Sequence, residues 1–200
     1  MTKNKILKLL IGITLIIGSI TTFYFKYLNE NKVNQKEEQE VRNYIRKINE
    51  ETIKENESKE ENNSYENINY IGVLEIPKLG LRRGLVDVNS RYNNVRYNVQ
   101  ILKESTMPDV EKGNLILAAH SGNTRVSFFN TLKNLSIDDK VNIYYDNKKY
   151  TYKMVKSYEI EKTGYANIVR DKSKTTLTLI TCKTGTNYQL VIICELIESE

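Results

Sequence analysis

Three side chains in this 200-residue chain have the chemistry for covalent catalysis: Cys182, Cys194 and His120. A thiolate is a strong nucleophile, and an imidazole can move the protons that its attack requires. A Cys–His pair therefore suits acyl transfer. The chain has only one histidine, so any mechanism that needs an imidazole must use His120. Two cysteines are too few for a disulfide framework.

The segments around these residues say how they are carried. Thr175 to Thr181 and Gln189 to Ile197 read as two strands joined by the polar loop Lys183 to Tyr188. In that register Cys182 faces Gln189, and Cys194 faces Leu177. Five strand positions then separate the cysteines, on the order of 16 Å. A disulfide needs Cα atoms within about 7 Å. Cys182 is thus expected to be a free thiol at a strand end. Cys194, inside the apolar run LVIICEL, is expected to be a small core residue. His120 ends another strand, in NLILAAHSGN, where Ser121, Gly122 and Asn123 let the chain turn. Taken alone, it reads better as a loop histidine without a task, because spacing does not prove proximity.

Other elements are short. Ile71 to Ile76 is a strand stopped by Pro77, and Leu115 to Ala119 a buried one. Val141 to Tyr145 and Tyr150 to Tyr158 form a hairpin around Asp146 to Lys149. Val126 to Leu135 has apolar residues at helical spacing and predicts one short helix. Strands dominate, so a closed or nearly closed β-barrel of about 130 residues is expected, mainly β with short helices. Asp138-Asp139 and Asp146-Asn147 lack the alternating ligands of a calcium loop and read as polar turns. No metal and no cofactor are assigned.

The first 69 residues differ from the rest. Leu9 to Phe25 carries no charge. As a helix it spans roughly 26 Å, near the lower limit for crossing a bilayer core, and Ile6 and Leu7 extend it. Lys3, Lys5 and Lys8 precede it, which places the N-terminus in the cytoplasm and the rest outside. The competing reading is a cleaved signal peptide. However, no small-x-small site follows the run; Phe23, Tyr24, Phe25 and Tyr27 cluster there instead. Residues 1–27 are therefore expected to be a cytoplasmic stub and single-pass transmembrane anchor, inserted through residues 6–27. Residues 28–69 are rich in Glu, Lys and Asn and lack Gly and Pro. They read as a charged stalk or a plain linker, with one short helix around Val41, Tyr44, Ile45 and Ile48. Residues 70–200 form the catalytic domain. The net charge of +5 is mild, and no Arg-rich stripe interleaved with aromatics is present, so nucleic-acid binding is not expected.

Several segments resemble the sortase family of Gram-positive bacteria. Thr178-Leu179-Ile180-Thr181-Cys182 is similar to its Thr-Leu-x-Thr-Cys signature. Leu117-Ala118-Ala119-His120-Ser121-Gly122 is similar to its histidine segment, and Ile71-Gly72-Val73-Leu74-Glu75-Ile76-Pro77 to its first strand. Gly113-Asn114 and Phe128-Phe129-x-x-Leu132 also fit, and the order holds from about Tyr70 to Glu198. The resemblance implies an eight-stranded sortase β-barrel. It implies a membrane-bound cysteine transpeptidase, with Cys182 as nucleophile and His120 as general acid and then base. The substrate implied is a Leu-Pro-x-Thr-Gly-like sorting signal on a surface protein or pilin, cut between Thr and Gly. The acyl group would pass to an amine, such as that of lipid II or a pilin lysine.

The sequence departs from the family at one point. Most sortases place an arginine, the oxyanion donor, where this chain has Gln189, and no arginine follows Arg170. Three readings follow: Gln189 donates through its amide; Arg125, or less readily Arg170, reaches the site; or the protein is a degenerate, non-catalytic module that binds sorting signals. Arg125 also reads as a solvated residue near a helix start. A hydrolytic cysteine protease is a further alternative.

Overall fold

The structure is a computed structural model, and it describes residues 68–200 together with Thr21, Gln39 and Val41–Asn43. The chain divides into two compact units, residues 1–39 and 40–200. Thr21 and Gln39 are helical in the first, and Val41–Asn43 in the second. Apart from these positions and Ile68 and Asn69, the predicted anchor and stalk lie outside the described residues. Among the described residues, no helix is long and apolar enough to cross a membrane.

Eight strands build the second unit: β1 (Tyr70–Ile76), β2 (Leu81–Val86), β3 (Gln100–Ile101), β4 (Asn114–Ala118), β5 (Lys140–Tyr145), β6 (Lys148–Glu161), β7 (Thr176–Cys182) and β8 (Tyr188–Ser199). They form one sheet in the order β2-β1-β5-β6-β8-β7-β4-β3. The sheet curls into a nearly closed barrel. No ladder joins its two edges; instead Asn98, just before β3, donates from Nδ2 to the Gly84 carbonyl of β2 at 2.7 Å. Leu74, Leu117, Ile143, Tyr152, Leu177, Leu179 and Ile192 point inward and form one core.

Glycine is required at Gly72, where β1 runs between β2 and β5. A Cβ there would lie 2.7 Å from the Tyr144 carbonyl oxygen. At Gly113, just before β4, a Cβ would lie 2.3 Å from Thr106 Oγ1. Close backbone approach thus accounts for two glycines of the motifs quoted above.

The β5–β6 hairpin turns on two residues, Asp146 and Asn147, both at positive φ (48° and 57°). That is the primed turn matching strand twist, and it leaves Lys148 and Lys149 inside β6. The predicted helix over Val126 to Leu135 is only one 3-10 turn, Leu132–Asn134. Ser127, Asn130, Leu132, Asn134 and Leu135 each donate three residues back, while Phe129 N–H donates to the His120 carbonyl at 3.0 Å. That long-range bond diverts a donor that an α-helix needs. The apolar spacing instead seats Phe129, Leu132 and Leu135 against the core.

Candidate active site

Parallel pairing of β4 with β7 builds the site. Its register runs from Asn114 opposite Thr176 to Ala118 opposite Ile180. Side chains lock it at both ends. The buried Asn114 Oδ1 accepts hydrogen bonds from Thr176 Oγ1 and Thr178 Oγ1, each at 2.9 Å. At the other end Thr181 Oγ1 donates to the Ala119 carbonyl at 2.9 Å, and Ala119 N–H to the Ile180 carbonyl at 3.2 Å. A slip of one residue would break all of these bonds. The threonines of TTLTLITC therefore fix where β7 ends relative to β4.

The last pair is Ala118 with Ile180, so His120 and Cys182 each lie two residues beyond it, at the same end of neighbouring strands. The Ser121 hydroxyl donates to the Cys182 carbonyl, and Thr184 Oγ1 donates to Ser121 Oγ at 3.4 Å. Both His120 and Cys182 are half-buried. Ser121 reads in the sequence only as a turn residue, and nothing there signals its bond to the nucleophile's backbone.

The antiparallel β7–β8 ladder has the expected register: Cys182 faces Gln189, and Leu177 faces Cys194. Directly opposed residues share a face, so Gln189, itself half-buried, stands beside the thiol. Arg125 is exposed in the loop after His120, and its guanidinium makes no hydrogen bond or ion pair among the described residues. Arg170 is committed elsewhere. It donates to the carbonyls of Asp171, Lys174 and Lys112, the last of these just before β4 begins. That is the end of β4 away from His120.

Cys194 is fully buried, and both cysteines are free thiols. Burial pushes the Cys194 thiol up to about 12 from an ordinary value of 9.0. The neutral form is thus favoured in the fold. The resulting stability is intact below pH 9 and is lost as the pH rises towards 12, by up to roughly 4 kcal/mol. Denaturant titrations between pH 8 and 11.5 should show wild-type stability converging on that of Cys194→Ala above pH 9. A constant gap would contradict the assignment.

Cys182 lies at the end of a buried apolar strip and at the edge of a cavity. Side chains alternate along β7: Leu177 and Leu179 face the core, while Ile180 joins Ile116, Val191 and Ile193 in a second apolar cluster on the opposite face. Cys182 shares the parity of Ile180 and so ends this outer strip. Ala166 and Ile168, from the segment between β6 and β7, pack over it. Tyr158 pins that segment, its hydroxyl donating to the Asn167 carbonyl at 3.0 Å and accepting from Val169 N–H at 2.7 Å. The cavity has a volume of about 340 Å3, with Cys182, Ser121 and Thr184 at one side and Phe129, Leu132 and Leu190 among its lining.

Comparison with known proteins bears on this arrangement. Residues 74–197 match the profile of the Sortase domain. No curated protein matches the chain. Among solved structures, the chain is similar to a lid mutant of sortase A from Corynebacterium diphtheriae, with TM-score 0.58 and 16% identity over 65% of this chain and 71% of that one. It is similar to sortase C from Streptococcus pneumoniae, described with respect to catalysis and pilin substrate specificity, with TM-score 0.57 and 17% identity over 64% and 69%. Sortase C1 from Streptococcus suis gives TM-score 0.58 and 21% identity over 66% and 74%. At these identities the structural likeness establishes the fold, a sortase barrel. With the profile match covering well over half of its length, the chain belongs to the sortase family.

Proposed function

We propose that this protein is a cysteine transpeptidase that cleaves a Leu-Pro-x-Thr-Gly-like sorting signal between Thr and Gly. The observation that supports this reading is the pairing of β4 with β7, whose last pair, Ala118 with Ile180, lies two residues before both His120 and Cys182. In the first half-reaction the Cys182 thiolate attacks the threonine carbonyl and forms the C–S bond. Protonated His120 gives its proton to the departing glycine amine as the C–N bond breaks. In the second, His120 takes a proton from an incoming amine. The amine displaces the thiolate and forms the new amide. The substrates are surface proteins or pilins, and the acceptor is a lipid II or pilin amine. The domain works outside the cell, held by the anchor in residues 6–27 and the stalk in residues 28–69.

The tetrahedral oxyanion needs a hydrogen-bond donor. Gln189 is the better placed candidate, because it faces Cys182 across the ladder. An amide lacks the charge of the family's arginine and makes a weaker bond. Gln189→Ala should lower the acylation rate by roughly 10²-fold. If Gln189→Ala acylates normally while Arg125→Ala does not, the donor is Arg125. The same glutamine favours a second reading, a non-catalytic module that binds sorting signals.

The experiment is incubation of the protein with a Leu-Pro-x-Thr-Gly peptide, with and without triglycine or diaminopimelate, followed by mass spectrometry of the products. Amine-dependent ligation supports the transpeptidase. Hydrolysis alone, whatever the amine, identifies a protease. Binding without any product identifies the module.

A further inference from the structure

The β4–β7 pairing ends at Ala118 and Ile180, short of the two residues it must align. In a parallel pair a strand donates to a given neighbour from every second residue. Ala119 N–H donates to the Ile180 carbonyl at 3.2 Å, so the next rung would run from Ser121 N–H to the Cys182 carbonyl. The chain has left β4 by then and bends at Gly122, whose φ is 123°. The Ser121 hydroxyl makes that bond in place of the backbone. Thr184 Oγ1, in the loop between β7 and β8, donates to Ser121 Oγ at 3.4 Å. The serine oxygen accepts there, which leaves its proton for the Cys182 carbonyl.

The other ties of this turn lead away from β7. The His120 carbonyl accepts from Phe129 N–H at 3.0 Å, and Gly122 N–H donates to Asn130 Oδ1 at 3.2 Å. Both fasten the turn to the segment that follows it. Beyond Ala119, the Ser121 hydroxyl is what ties the turn to the nucleophile's own strand among the described residues.

We infer that Ser121 is a positioning residue, which through this bond fixes the separation of the His120 imidazole from the Cys182 thiol. The inference rests on the Cys182–His120 pair assigned above. Proton transfer requires its partners within hydrogen-bond reach, and a misplacement of about 1 Å can cost on the order of 10²-fold in rate. Both Ser121 and Cys182 are half-buried, so water can take the hydroxyl's place in Ser121→Ala and the fold should survive.

The test is alkylation of Cys182 by iodoacetamide at neutral pH, which needs no peptide. Cys194 is fully buried and should not react. An imidazole activates a thiol only from beside it. Rates are followed by intact mass for the wild type, Ser121→Ala, His120→Ala and the double variant. Ser121→Ala should slow alkylation about fivefold where His120 is present and less than about twofold where it is replaced. A packing defect would slow both backgrounds alike. Ser121→Thr keeps the hydroxyl and should react within about twofold of wild type. Equal effects on both backgrounds, no effect on either, or a threonine variant as slow as the alanine one overturns the inference. With a Leu-Pro-x-Thr-Gly peptide, Ser121→Ala should lower kcat about tenfold and leave KM within about twofold. A rise in KM alone also overturns it. If the wild type turns over no peptide, the transpeptidase reading falls, whereas the alkylation rates still decide the role of Ser121.

Discussion

Cys182→Ala should abolish cleavage of a sorting peptide while leaving peptide binding within a few-fold of wild type. The side chain supplies the only atom that bonds to the substrate, and its neighbours cannot replace it. Cys194 is sealed in the core on the inner face of β8, and burial holds its thiol protonated. Ser121 is near, but its hydroxyl is committed to the Cys182 carbonyl, and a serine hydroxyl needs strong activation to act at neutral pH. The substitution removes one sulfur atom and leaves the other residues that line the cavity beside Cys182 in place. Fluorescence polarisation with a labelled peptide measures the binding, and product analysis measures the turnover. Residual cleavage within tenfold of wild type would show that another group is the nucleophile.

His120→Ala should lower the rate of acyl transfer by about 10²- to 10⁴-fold, the usual worth of a general acid and base. There is no second histidine in the chain to stand in. The loss should fall on kcat more than on KM, because the imidazole acts on the leaving and attacking nitrogens rather than on the peptide's anchoring side chains. The fold should survive. The tie between His120 and Phe129 runs through the His120 backbone carbonyl, which alanine retains. Added imidazole should restore part of the rate. Unaltered kcat would assign proton transfer elsewhere.

Much of the fold was legible because its strands announce themselves. The β7–β8 register was readable from turn length alone, and with it the separation of Cys182 from Cys194 and the placing of Gln189 opposite the thiol. What local sequence cannot carry is the neighbour relation of β4 and β7. Their parallel pairing joins residues 62 positions apart, and the bonds that fix it, from Thr176 and Thr178 to Asn114, connect segments with no local signal of each other. This is why His120 alone read as an idle loop residue. The two-residue β3 and the charged β2 were also hidden: one is too short for any period, and Arg82 and Arg83 interrupt the apolar pattern of the other. The helix expected over Val126 to Leu135 failed because a long-range bond to the His120 carbonyl competes with the local ladder. Asn130 and Lys133 line the cavity beside Cys182 from that same run of turns, so this edge of it too lay beyond the reach of periodicity.

The central claim is that Cys182 forms an acyl thioester with a sorting peptide. Its most direct measurement is intact mass spectrometry of the protein quenched in acid during reaction with a Leu-Pro-x-Thr-Gly peptide, without added amine. The account predicts a mass increase equal to the fragment ending in threonine. The increase maps to Cys182 after digestion, is released by hydroxylamine and is absent in Cys182→Ala. An unmodified Cys182 under conditions where the peptide is demonstrably bound, or an adduct on any other residue, would contradict it.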